Sequence, residues 1–202
     1  IAVLELGTNH YGEISALTRL ACPSVGIITN IGFAHLEYFF DPKGVLKEKW
    51  NLIEELNSPR IAVLNADDPL LNANISSQPL LNESDITPFT FGINNKSDFM
   101  ARKIRVWNNK LSFLIKNKPI EINTASYINV YNALAAYTAA RIFSIDAYDI
   151  INRFKKITFP KSRFQLKKVN GINIIDDAYN ANPDSFRWAL ESFKKINSGG
   201  RK

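Results

Sequence analysis

The sequence predicts an α/β protein: a doubly wound, mainly parallel sheet with helices on both faces, carrying a small antiparallel β-sheet. Three observations predict it. Runs such as Ile1 to Leu6, Val25 to Ile28 and Arg60 to Leu64 end abruptly in polar residues, as buried parallel strands do where their carboxyl ends open into loops. Stretches of helical period lie between such runs, so strand and helix alternate. From Thr87 to Ile122 the texture changes to short β-rich runs separated by asparagine-containing pairs, the pattern of hairpins.

Composition narrows the function classes. A chain of 202 residues with 46% hydrophobic content suits one α/β domain, or one domain with a small excursion, and excludes disorder. No apolar run approaches the roughly 20 residues of a membrane span, and no basic-then-apolar leader opens the chain. It reads as soluble and cytoplasmic, with no membrane partner. Twenty-five basic against nineteen acidic side chains give a net charge of +6. The lysines are scattered or paired, without a dense basic tract or an aromatic platform, so the charge reads as a solvated surface with a preference for anionic small molecules, not as a nucleic-acid interface. Cys22 has no partner for a disulfide and no metal-spaced neighbours, and reads as a small buried apolar residue.

Taken in order, Ile1 to Leu6 is a strand ending in Glu5-Leu6-Gly7-Thr8-Asn9-His10-Tyr11-Gly12-Glu13-Ile14. Val25 to Ile28 is a second, running into Thr29-Asn30-Ile31-Gly32-Phe33-Ala34-His35-Leu36-Glu37-Tyr38-Phe39. A carboxylate and an imidazole emerging from neighbouring strand ends look like ligands for a divalent cation. Asp41-Pro42-Lys43-Gly44 reads as a turn, and Val45 to Leu56, apolar at positions 45, 46, 50, 52, 53 and 56, as an amphipathic helix stopped by Asn57-Ser58-Pro59. Arg60 to Leu64 is the next strand, once more ending in carboxylates at Asn65-Ala66-Asp67-Asp68-Pro69. Phe89 to Phe91, Ile104 to Trp107, Leu111 to Ile115 and Ile120 to Ile122 form the antiparallel sheet, with turns at Asn94-Asn95, Asn108-Asn109 and Asn117-Lys118, because Asn tolerates positive φ. Val130 to Phe143 and Ala147 to Phe154 are helices. Phe164 to Val169 and Gly171 to Asp176 are strands meeting at Asn170-Gly171, and a last helix runs from about Pro183 to Ile196.

Glu-Leu-Gly-Thr-Asn-His-x-Gly-Glu-Ile, followed by Thr-Asn-Ile-Gly-x-Ala-His-Leu-Glu-x-Phe, resembles the Mur ligases of bacterial cell-wall synthesis, and within them those that add D-alanyl-D-alanine to UDP-N-acetylmuramoyl-tripeptide. The resemblance extends through Asp176 to Ser185 and implies ATP and Mg²⁺ as cofactors. It makes Glu5 and His35 magnesium ligands. Lys49 corresponds to a lysine carbamylated in many of these enzymes, and is preferred to Lys47 because the family pattern places an apolar helical turn directly after the modified residue. Carbon dioxide adds only to a neutral amine, so burial or neighbouring cations must depress that lysine's pKa. Asn9, His10, Asn30, Asn180 and Asn182 are candidate substrate contacts, with a self-satisfied polar turn as the alternative for Asn9 and His10. Asn129-Val130-Tyr131-Asn132-Ala133-Leu134-Ala135-Ala136 resembles the family's adenine-side helix, with Asn132 as the base contact and Asn129 as helix cap or site residue. Arg163, Asp177 and Tyr179 are the remaining nucleotide-side candidates, Asp177 for the ribose, whereas Asp176 reads as structural.

The phosphate loop that such chemistry needs, Gly-x-x-Gly-Lys-Ser/Thr, does not occur in the sequence. The resemblance places it before Ile1, so residues 1–196 are expected to be most of a central ATP-binding domain and 197–202 a linker towards a further domain. The 202 residues alone are expected to lack ligase activity. A monomer is the expected state. Two rival readings share parts of the pattern: a related ligase of the folylpolyglutamate or cyanophycin type, and a non-catalytic nucleotide-binding module.

Overall fold

A computed structural model describes residues 1–32, 36–77, 85–107 and 109–196. The chain divides into two compact units, residues 1–98 and 99–202.

The first unit is built on three parallel strands. β1 (Val25–Ile28) pairs with β2 (Ile61–Asn65) in the register Val25 to Ile61, and β2 pairs with β3 (Thr87–Gly92) in the register Ile61 to Thr87. With a neighbour on each side, β2 is the inner strand of this ladder. Ala62, Val63 and Leu64 have no solvent exposure, which is why it reads as an uninterrupted apolar run. Helices α1 (Glu13–Ala21), α2 (Leu36–Phe39), α3 (Pro42–Glu54) and α4 (Pro69–Ser77) complete the unit. Trp50 and Ile53 of α3 pack with Phe39, Leu64 and Leu71 into its core. Helix α3 lies so close to β1 that a Cβ on Gly26 would stand 3.1 Å from side-chain atoms of Ile53 and Leu52.

The second unit opens with an antiparallel meander, β4 (Phe99–Trp107), β5 (Lys110–Ile115) and β6 (Lys118–Ile122). Helix α5 (Asn129–Ile142) packs on β4 and β5, and α6 (Ala147–Phe154) on β6. A separate hairpin, β7 (Gln165–Val169) with β8 (Ile172–Asp176), turns through Asn170 and Gly171 at φ 48° and 81°. Helix α7 (Pro183–Lys195) follows.

Several expectations are corrected here. Ile1 to Leu6 is not a strand: it has no ladder partner among the described residues, and Ile1 and Val3 are each 90% exposed. Asp41 to Gly44 is no free turn but the start of α3, because Asp41 caps the Gly44 N–H at 2.8 Å and Pro42 occupies the first turn, where its missing N–H costs nothing. Phe89 to Phe91, read as a run of the antiparallel sheet, pairs in parallel with β2. The β5–β6 turn is Lys116-Asn117, both at positive φ, one residue earlier than Asn117-Lys118. Cys22 is exposed: it ends α1 in a left-handed conformation, its N–H donating to the Thr18 carbonyl at 2.8 Å. Helices α1, α2 and α4 carried no sequence assignment.

Candidate active site

The carboxyl ends of β1 and β2 are tied together by side chains. Asn65, the last residue of β2, donates its amide to the Thr29 carbonyl at 2.9 Å. Asp68 accepts the Ile31 N–H at 2.7 Å with one oxygen and the Leu70 and Leu71 N–H groups at 3.0 Å with the other, so it caps α4 and holds the β1 exit at once. Into this corner reaches Lys49 of α3, whose ammonium donates to the Asn30 carbonyl at 3.0 Å. Burial pushes its pKa down, while the negative charge of Asp68 works in the opposite direction. Lys47, two residues earlier, is exposed.

Glu5 is exposed on the extended first residues, and His35 lies outside the described residues. Asn9 and His10 stand on a turn wrapped around Glu13, whose carboxylate accepts the N–H of Asn9 at 2.6 Å and that of His10 at 3.0 Å. These backbone bonds hold the Glu13 pKa down at about 2, against an ordinary value of 4.5. The His10 ring lies 4.1 Å from that of Tyr38, centroid to centroid. Among the described residues no group of three or more His, Cys, Asp or Glu converges to hold a cation.

In the second unit, Asn129 occupies the first turn of α5 and does not cap it. The turn at residues 126–128 supplies the acceptors, with the Ser126 carbonyl accepting the Asn129 N–H at 3.2 Å and the Tyr127 carbonyl accepting that of Val130 at 3.0 Å. The Asn129 side chain instead accepts from the Asn132 amide at 3.0 Å, and Asn132 is exposed. Three nucleotide-side candidates share one neighbourhood. The Arg163 guanidinium lies over the Tyr179 ring at 4.0 Å, the Tyr179 N–H donates to the Ser162 carbonyl at 3.1 Å, and Asp177 accepts the Phe164 N–H at 2.9 Å. Asp176 binds Ser162 and Lys167, a structural engagement that lowers its pKa. Asn180 accepts the N–H of Ala181 at 2.8 Å, and Asn182 caps α7 by accepting from Ser185 at 2.8 Å while the Ser185 hydroxyl accepts the Asn182 N–H at 2.9 Å. Sequence reasoning noted the carboxylates after β2 but gave Asp68 no role. The signal was available in Asp68-Pro69, an acidic cap before a proline in a first helical turn.

A family model described as the Mur ligase middle domain matches residues 1–140. The chain is similar to the UDP-N-acetylmuramoyl-tripeptide–D-alanyl-D-alanine ligase of Bacillus subtilis (strain 168), with 31% identity over 100% of this chain and 43% of that protein. The ligase of the same description from Escherichia coli (strain K12) is 31% identical over 94% of this chain and 42% of that protein. The crystal structure of MurF from Acinetobacter baumannii superposes with a TM-score of 0.86 at 26% identity, covering 96% of this chain and 42% of that one. MurF ligase from Thermotoga maritima in complex with ADP, at 22% identity and a TM-score of 0.80 over 95% of this chain and 44% of that one, shares the fold. The chain spans about 43% of the length of the curated relatives it matches.

Proposed function

The chain belongs to the Mur ligase middle domain family, and on that premise we propose that it forms the nucleotide-side centre of a ligase joining D-alanyl-D-alanine to UDP-N-acetylmuramoyl-tripeptide with ATP. In this reading the γ-phosphoryl group passes to the terminal carboxylate of the tripeptide. The resulting acyl phosphate is attacked by the dipeptide amine, and inorganic phosphate leaves from a tetrahedral intermediate.

The observation that carries the reading is the placement of Lys49, a half-buried amine at the carboxyl ends of two parallel strands, where α/β proteins bind ligands. Its depressed pKa favours the neutral amine that carbon dioxide requires. Arg163 and Tyr179, stacked beside Asp177, present a guanidinium, a phenol and a carboxylate that suit phosphate, base and ribose, with Asn132 as the adenine contact. Asn9, His10, Asn30, Asn180 and Asn182 are the proposed substrate contacts. Mg²⁺ belongs to the proposal through Glu5, His35 and a Lys49 carbamate, where it would supply countercharge during phosphoryl transfer.

The test uses the gene product that carries this chain, incubated with ATP, UDP-N-acetylmuramoyl-tripeptide and D-alanyl-D-alanine. The expected result is the UDP-linked pentapeptide and one phosphate per amide bond, with a hydroxamate forming when hydroxylamine replaces the dipeptide. ATP turnover without either product would overturn the reading.

A further inference from the structure

Glu48 is a carboxylate with 1% exposure that the proposed chemistry does not use. A buried carboxylate is costly unless several donors meet it, and its donors here are unusual. One oxygen accepts the Ile14 N–H at 2.8 Å and the other the Gly12 N–H at 2.9 Å. The Thr8 hydroxyl and the Asn51 amide approach at 3.5 Å and 3.4 Å. Gly12 stands at φ 87°, a left-handed conformation that suits glycine, immediately before α1. Its N–H and that of Ile14, two of the donors a helix start leaves without intrahelical partners, are both taken by Glu48.

The same helix turn reaches a second loop through the next residue. Lys49 donates to the Asn30 carbonyl at the end of β1, so consecutive residues of α3 grip the Thr8–Gly12 turn on one side and the β1 exit on the other. Adjacent helical residues point about 100° apart, so one rigid helix can serve two loops without either side chain crossing the other. Glu13, the first residue of α1, also holds the turn through the Asn9 and His10 N–H groups, but it follows the turn directly in the chain and does not link it to α3.

We propose that Glu48 is a positioning residue that sets Asn9 and His10 relative to Lys49, and so governs binding of a peptide substrate. This rests on the reading of Asn9 and His10 as substrate contacts. Glu55, near the other end of α3, is the control. It joins α3 to α1 through Ser15 at 2.6 Å and Arg19 at 3.0 Å, both beyond the Thr8–Gly12 turn.

The experiment compares E48Q, E48D and E55Q in the gene product carrying this chain. Gln keeps the shape of Glu48 but turns one acceptor into a donor facing a backbone N–H. E48Q is expected to raise KM for one of the two peptide substrates about tenfold, the worth of one charge-assisted hydrogen bond, with KM for ATP and kcat changed less than about twofold. E48D should recover part of the loss, and E55Q should match wild type. Hydrogen exchange, which needs no activity, should show the 8–14 segment exchanging faster in E48Q only. An unchanged peptide KM alongside faster exchange, or unchanged exchange, overturns the proposal. So does an E55Q variant that reproduces the KM effect. If the wild type makes no amide product, the functional reading fails while the exchange result still decides whether Glu48 holds the turn.

Discussion

Lys47 and Lys49 lie on one helix and meet different surroundings, because a step of two residues rotates the side chain by about 200°. Lys47 is left in solvent while Lys49 is carried to the Asn30 carbonyl. Lys49→Ala in the gene product is therefore expected to lower turnover by at least about tenfold, with partial recovery on adding formate or acetate, and Lys47→Ala to stay near wild type. Full activity in Lys49→Ala, or loss and rescue at Lys47 instead, would move the assignment. Glu13 supports a second prediction. Its pKa is held at about 2 against an ordinary 4.5, so its contribution to stability is complete above the higher value and disappears as pH falls through the lower. Unfolding of wild type and Glu13→Gln, compared across acid pH, should show a constant difference above pH 4.5 that closes towards pH 2. Lys49 was singled out by the resemblance to the family's modified lysine, and its helical position beside apolar residues 46, 50 and 53 placed its amine towards the strand ends. Asn129 was misread as a possible cap because the backbone turn at residues 126–128, invisible to residue type, already supplies the acceptors.

Elements were legible wherever the signal was local. Asn170-Gly171 dictates a two-residue hairpin turn because both positions need positive φ, and Pro183 after Asn182 dictates a helix start. Helix α7 offers the cleanest test of an element. Asn182 and Ser185 satisfy each other's backbone N–H, so Asn182→Ala should cost about 1 kcal/mol in denaturant unfolding, and Asn182→Asp should cost less. An unchanged midpoint for Asn182→Ala would show that the cap adds nothing there. Strand β3 was not legible as a parallel strand, because a short run with Pro88 inside it carries no record of its partner. Its neighbour β2 is joined through α4, a crossover whose modest amphipathicity hid it from a periodicity reading.

At the scale of the molecule, the first unit depends on a core to which α3 and β2 contribute most. Ile53 has no exposure and touches the space above Gly26, so Ile53→Ala should lower unfolding stability by about 2–5 kcal/mol, whereas Leu20→Ala, at an 83% exposed position, should change it by less than about 0.5 kcal/mol. A small effect at Ile53 would mean that the helix and strand repack. What the sequence determined by itself was the α/β class, the hairpin chemistry, most helix and strand positions after residue 25 and the motifs that resemble the Mur ligases. All of these follow from residue type and spacing along the chain. Only the tertiary structure decided that Ile1 to Leu6 stands without a ladder partner among the described residues, that β3 runs parallel to β2, that Asp68 joins α4 to the β1 exit, and that Glu48 is buried against Gly12 and Ile14. Each of these depends on which segments, distant in sequence, come within hydrogen-bonding reach, and neither periodicity nor composition encodes that distance.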